Sequence, residues 1–161
     1  LSTVLTRVCY PQVLQTLGLP TGSTRAILRI TNPNITCAIW ANQAYTFNIQ
    51  VLNIQIDGNR PNLGWVSNGL ALAEMGGNGH GQIIDRSAVV EPRGWSAVHA
   101  IEGDQNTCTG FVATNNQVGP SGHAPSGAAQ FKRDSTGTYA PGQWADGLSI
   151  ACANSTIRGN T

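Results

Sequence analysis

The chain has 161 residues, a formal net charge of +1, 40% hydrophobic residues and only 11% charged ones. That length fits one domain with its own core, and eight scattered arginines with Lys132 as the single lysine leave no basic run to track a phosphate backbone. No apolar stretch approaches the roughly 20 residues that span a bilayer, and none has the layout of a signal peptide.

In chain order, Gln12 to Leu17 is expected to form a short helical turn. Ala26, Leu28 and Ile30 alternate with Arg25 and Arg29, which places the apolar trio on one face of a strand. Tyr45 to Ile56 is the strongest element. Tyr45, Phe47, Ile49 and Val51 share one phase and Leu52, Ile54 and Ile56 the other, so the phase flip predicts a β-bulge or a strand that leaves one sheet for another. Further strands are expected at Gln82 to Ile84, Ala88 to Val90, Trp95 to Ile101, Cys108 to Thr114, Ala128 to Phe131 and Leu148 to Ala153. Gly76 to Gly81 and Gly119 to Gly127 read as long loops, the usual place for binding residues on a rigid β scaffold.

Short strands separated by turn residues, with no visible internal repeat, predict an all-β fold, an antiparallel β-sandwich or distorted barrel. Residues 1–153 are expected to form the binding domain and the polar segment 154–161 a linker towards a second domain. A chain that starts at Leu1 is expected to be a mature secreted chain or an excised domain.

Cys9, Cys37, Cys108 and Cys152 lack zinc-finger spacing, so two disulfides in an oxidising compartment are expected. Of three connectivities, Cys9–Cys37 with Cys108–Cys152 is favoured, because the long cysteine-free gap separates two local pairs. The uncharged Asn, Thr, Ser and Gln surface agrees with an extracellular chain.

Catalytic signals are weak. Gly119-Pro120-Ser121-Gly122-His123 lacks a nucleophile-elbow pattern, and no spacing joins Glu91 and Glu102 as a glycosidase pair. The Gly76 to Gly81 run does not follow a βαβ pattern and fits no phosphate cradle. His80, His99 and His123 offer a three-histidine zinc site as an alternative to no metal, although no pair of them shares a short spacing. Trp65, Trp144 and Asp146, with His80 and His123 in the Gly-rich loops, are the expected ligand-binding residues, since sugar sites pair an aromatic platform with polar groups. Trp40, beside Cys37, and Trp95 are expected in the core. Asn34-Ile35-Thr36 and Asn154-Ser155-Thr156 match the glycosylation acceptor pattern.

Ile101-Glu102-Gly103, then Cys108-Thr109-Gly110-Phe111-Val112, a long Gly/Ser/Pro loop, Pro141-Gly142 and a final Cys152 resemble the receptor-binding domain of two-domain chaperone-usher fimbrial tip adhesins, such as those of the mannose-resistant fimbriae of Proteus. The resemblance covers about the last third of the chain. It implies a β-sandwich-like domain at a pilus tip, secreted through the periplasm, joined to a pilin domain and through it to pilus subunits. Some such adhesins hold zinc with three histidines that include a His-x-His pair, which this chain lacks. The expected function is therefore non-enzymatic adhesion to a host glycan or host surface protein. A secreted hydrolase, or a viral or eukaryotic lectin-like domain, is the alternative.

Overall fold

The computed structural model describes residues 12–16, 25–41, 48–66, 69–76, 81–94, 96–100, 108–120 and 146–161. Among them, thirteen short strands and one helical turn form three sheets, and every strand pair is parallel. Sheet 1 holds β1 (Gln12–Gln15), β4 (Ile49–Leu52), β7 (Ile83–Asp85), β10 (Val112–Thr114) and β13 (Thr156–Arg158). Sheet 2 holds β2 (Ala26–Arg29), β5 (Ile54–Asp57), β8 (Ala88–Val90) and β11 (Gln117–Val118). Sheet 3 holds β3 (Ile39–Trp40), β6 (Ala73–Glu74), β9 (Ser96–Ala100) and β12 (Asp146–Ile150). The chain visits the sheets in the order 1, 2, 3 and repeats, so it winds as a parallel β-solenoid. Each coil lies on the one before it.

This replaces the expected antiparallel sandwich or barrel. The alternation that marks a half-buried strand is the same for parallel and antiparallel partners, so pattern alone does not fix direction. The phase flip in Tyr45 to Ile56 is a corner. Ile49 and Val51 of β4 point inward, the chain turns at Asn53, and Ile54 and Ile56 of β5 point inward on sheet 2. The helical turn expected at Gln12 to Leu17 is strand β1 over Gln12–Gln15. The segment 154–161 supplies β13 and its flanking corners. The strand expected at Ala128 to Phe131 lies outside the described residues.

The corners reveal a repeat. Asn48, Gly81, Gly110 and Asn154 have φ of 53, 63, 70 and 54°, and Asn53, Arg86, Asn115 and Gly159 have 51, 49, 55 and 66°. At β4, β7, β10 and β13 the chain thus enters and leaves sheet 1 through two left-handed residues five positions apart. Asparagine and glycine adopt that conformation at least cost, which explains their frequency here. Gly159 has a second reason: a Cβ there would lie 2.7 Å from Asn115 Oδ1 in the corner below. Corner N–H groups of Asn53, Arg86 and Asn115 donate to Asp85 O, Thr114 O and Arg158 O at 3.1, 3.0 and 2.9 Å, so the ladder runs unbroken around the bend.

Just past the second corner, Ile54, Ser87, Asn116 and Asn160 stack. Asn116 Oδ1 accepts the Ser87 N–H (2.9 Å) while its Nδ2 donates to Ile84 O (3.0 Å). One coil on, Asn160 Oδ1 accepts the Asn116 N–H (3.0 Å) and its Nδ2 donates to Ala113 O (2.9 Å). Apolar columns fill much of the interior: Val51, Ile84 and Ala113 form one, Ile56 and Val89 another, and Ile39, Ala73 and Val98 a third, while buried Gln82 donates Nε2 to Ala41 O (3.0 Å) and Gly76 O (3.1 Å). One core cluster joins all three sheets.

Among the described residues one disulfide is present, Cys108–Cys152, not the expected two. Its Cα–Cα distance is 4.7 Å and its separation 44 residues, the same offset as the neighbouring bridge Thr109↔Ala153 (153 − 109). The bond therefore joins stacked positions on consecutive coils, at the ~4.8 Å spacing of paired strands. Closing a loop of that length restricts the unfolded chain by about 4 kcal/mol. Cys37 is a buried free thiol, and Cys9 lies outside the described residues.

Asn116→Ala removes the acceptor for the Ser87 N–H and the donor for Ile84 O, both inside the solenoid. The expected loss is about 3 kcal/mol, read as a lower urea midpoint at unchanged slope.

Candidate functional site

Sheet 3 has an apolar inner side, where Ile39 and Ala41, Ala73 and Met75, and Val98 and Ala100 join the core. Alternate residues must then face outward. In-register partners Trp40↔Glu74, Glu74↔His99 and His99↔Ser149 make one outward column across four adjacent strands. Ala38, Leu72 and Ala97, two positions earlier on the same side, are fully buried, so the column is walled at the end where these strands begin.

Glu74 is 1% exposed. Its Oε1 accepts the Ala71 N–H at 3.1 Å, and its Oε2 lies 2.7 Å from His99 Nδ1. With Glu74 ionised, Nδ1 carries the proton, and the carboxylate fixes the tautomer and orientation of the ring. A buried ionisable pair is costly to desolvate. Cys37 Sγ donates to Ile39 O at 3.0 Å. Burial, then the Glu74 charge, push its thiol up from 9.0 to about 12, so it is no nucleophile at neutral pH.

The connections from sheet 2 to sheet 3 differ most in length: 30–38, 58–72, 91–95 and 119–145. Three of them meet at Arg93, which is 2% exposed. Its Nε donates to Gly64 O (2.8 Å), Nη1 to Ile35 O (2.9 Å) and Asn32 O (3.5 Å), and Nη2 to Pro33 O (2.9 Å) and Leu63 O (3.2 Å). The 58–72 connection contains the helical turn α1 (Arg60–Leu63) and then Trp65. With Gly64 O on Arg93 Nε and the Val66 N–H on Arg93 O (2.8 Å), half-buried Trp65 is held from both sides.

Of the residues expected at the site, Trp65 is placed on this Arg93-held loop and His99 in the sheet 3 column. Asp146 opens β12 in register with Ser96. His80, His123 and Trp144 lie outside the described residues, as does Trp95, so the three-histidine zinc site is not assembled from described positions. Among the described residues, no three His, Cys, Asp or Glu side chains gather as a metal site. Sequence reasoning put Trp40 in the core, whereas it is half-buried in the outward column. It passed over Glu74 and Ser149, because partners 25 and 50 residues from His99 carry no local signal.

Compared with protein-family models, curated proteins and solved structures, the chain matches none.

Two outcomes follow from this chemistry. In the native protein at about pH 8, iodoacetamide should leave the Cys37 peptide unmodified by mass spectrometry. The unfolded thiol ionises near 9.0 and the folded one only near 12, so stability should fall as pH rises across that window. Arg93→Lys replaces a five-donor fork by a point charge that cannot span the same carbonyls, and should cost about 3 kcal/mol in urea unfolding.

Proposed function

We propose that this protein is an extracellular, non-enzymatic binding domain whose ligand is a glycan on a host or other cell surface. The observation that carries the reading is the outward column Trp40–Glu74–His99–Ser149, an aromatic ring followed by hydrogen-bonding groups on adjacent strands. Aromatic platforms with fixed polar neighbours recognise sugars through their apolar faces and hydroxyls. Trp65 on its braced loop offers a second platform. The coil-to-coil disulfide and the charge-poor composition support a place outside the cell. The pilus-tip setting rests on the motif resemblance in the last third of the chain alone, since the β-sandwich it implies is replaced by a parallel solenoid.

The secreted-hydrolase reading is favoured by one observation, the buried Glu74–His99 pair, since a carboxylate-oriented imidazole is also a general-base arrangement.

A glycan array, with esterase and glycosidase screens in parallel, separates the two readings. Binding without turnover is expected, and Trp40→Ala should weaken binding by about tenfold, close to 1.4 kcal/mol, with an unchanged circular dichroism spectrum. Turnover abolished by His99→Ala would replace the binding-domain reading with the hydrolase. A blank array and no turnover would reject both.

A further inference from the structure

Seven described non-glycine residues have positive φ, and five of them are asparagine. The exceptions are Arg86 at 49° and Glu91 at 51°. That conformation strains a long side chain more than it strains asparagine, and it costs glycine nothing, so each exception needs a reason in its side chain. Glu91 has one. Its Oε2 takes Arg60 Nε at 3.1 Å and Nη2 at 3.0 Å, which ties the 91–95 connection to the 58–72 connection.

Arg86 makes no such tie. Its Nε donates to Asp85 Oδ2 at 2.7 Å, a partner one residue back in the chain, and neither Nη1 nor Nη2 has a hydrogen-bond partner among the described residues. The side chain is 57% exposed. Asn53, Asn115 and Gly159 hold the same corner in the other coils, so the coil geometry does not ask for a guanidinium. Asp85 is itself fixed, since its Oδ1 accepts Thr114 Oγ1 at 2.7 Å and Asn115 Nδ2 at 3.4 Å. Partial burial works against this carboxylate, but those hydrogen bonds, with that of Arg86, keep its pKa below the ordinary value. It therefore stays ionised and keeps the guanidinium oriented.

Asn53 and Asn115 flank Arg86 in the corner stack, one coil to each side, at the ~4.8 Å spacing of paired strands. The row reads amide, guanidinium, amide. Such a row matches a sugar unit whose acidic group meets the paired Nη donors while its hydroxyls meet the amides.

We infer that the corner between sheets 1 and 2 at Arg86 is a second binding site, which takes the carboxylate or sulfate group of an acidic polysaccharide on the two Nη donors. A single exposed ion pair holds a free anion weakly, whereas a polymer that touches the protein at several points gains from it through effective concentration. The site lies apart from the sheet 3 column and does not depend on what that column binds.

Polygalacturonate and chondroitin sulfate are the probes, measured by biolayer interferometry on the wild-type protein and its variants. Arg86→Asn should weaken polymer binding about fivefold and, by relieving the left-handed strain, raise the urea midpoint. Asp85 cancels much of the charge at this corner, so capture depends on the paired donors, and Arg86→Lys should bind as poorly as Arg86→Asn. Arg158→Asn removes the same charge from exposed β13 and should bind as the wild type does, as should Trp40→Ala. Failure of both polymers to bind the wild-type protein would overturn the inference. Unchanged binding in Arg86→Asn, recovery in Arg86→Lys or an equal loss in Arg158→Asn would do the same. A lower urea midpoint for Arg86→Asn would overturn it by making the Arg86–Asp85 pair structural, and displacement of the polymer by an equal concentration of inorganic sulfate would overturn it by making the site one for free anions.

Discussion

Around β4, β7, β10 and β13 the chain must place two left-handed residues five positions apart, each pair stacked on the one before it. The in-register ladder of sheet 1, the Asn ladder, the apolar columns and the Cys108–Cys152 bond are all measured from those corners. A slip of one residue would carry each column to the other face. The requirement is strong enough to hold Arg86 at φ 49°, a conformation costing roughly 1–2 kcal/mol for a residue with a Cβ. Its N–H bond to Thr114 O, at 3.0 Å, is part of what offsets that cost.

With register fixed at the corners, the connections between sheets 2 and 3 are free to vary. A coil touches only its neighbours, so an insertion displaces nothing elsewhere. Such loops still carry backbone carbonyls that need partners. Arg93 supplies five donors to carbonyls from two neighbouring connections while its own N-terminal flank belongs to a third. Burial lowers its pKa, but a guanidinium stays charged at any ordinary pH. Among the described residues, Arg93 and Glu74 are the most deeply buried charged side chains of a charge-poor chain, with different meanings. Arg93 is saturated by backbone and braces loops. Glu74 holds the Ala71 N–H of the 58–72 connection with one oxygen and the ring of His99, in the outward column, with the other.

Much of the strand content was legible. Ala88 to Val90 coincides with β8, and the strands expected near Ile84, Val98 and Ile150 fall within a few residues of β7, β9 and β12. The phase flip at Val51 and Leu52 was a true signal of a change of sheet, and Asn53 is its cause. Strand direction was not legible, because alternation has no sense of parallel or antiparallel. The repeat was hidden for a geometric reason: the first corners, at Asn48, Gly81, Gly110 and Asn154, are 33, 29 and 44 residues apart, so no single period aligns the coils. The Cys108–Cys152 pairing was reached through the cysteine-free gap, though its physical basis is the 44-residue offset of the last coil.

The column on sheet 3 was the least legible part, and the solenoid explains why. Trp40, Glu74, His99 and Ser149 are separated by 34, 25 and 50 residues, yet neighbouring strands stand only ~4.8 Å apart. Side chains from four different coils thus line up at that near-constant interval, with Glu74 buried between Trp40 and His99. Each position can then change through a single residue in a single coil, with backbone spacing held by corners and ladder on the other two sheets. Insertions can lengthen beside the column without moving it, because they leave from the ends of sheet 2 and re-enter ahead of sheet 3. The scaffold thereby separates what must stay constant, the corner register, from what is free to vary, the outward residues of sheet 3 and the loops that flank them.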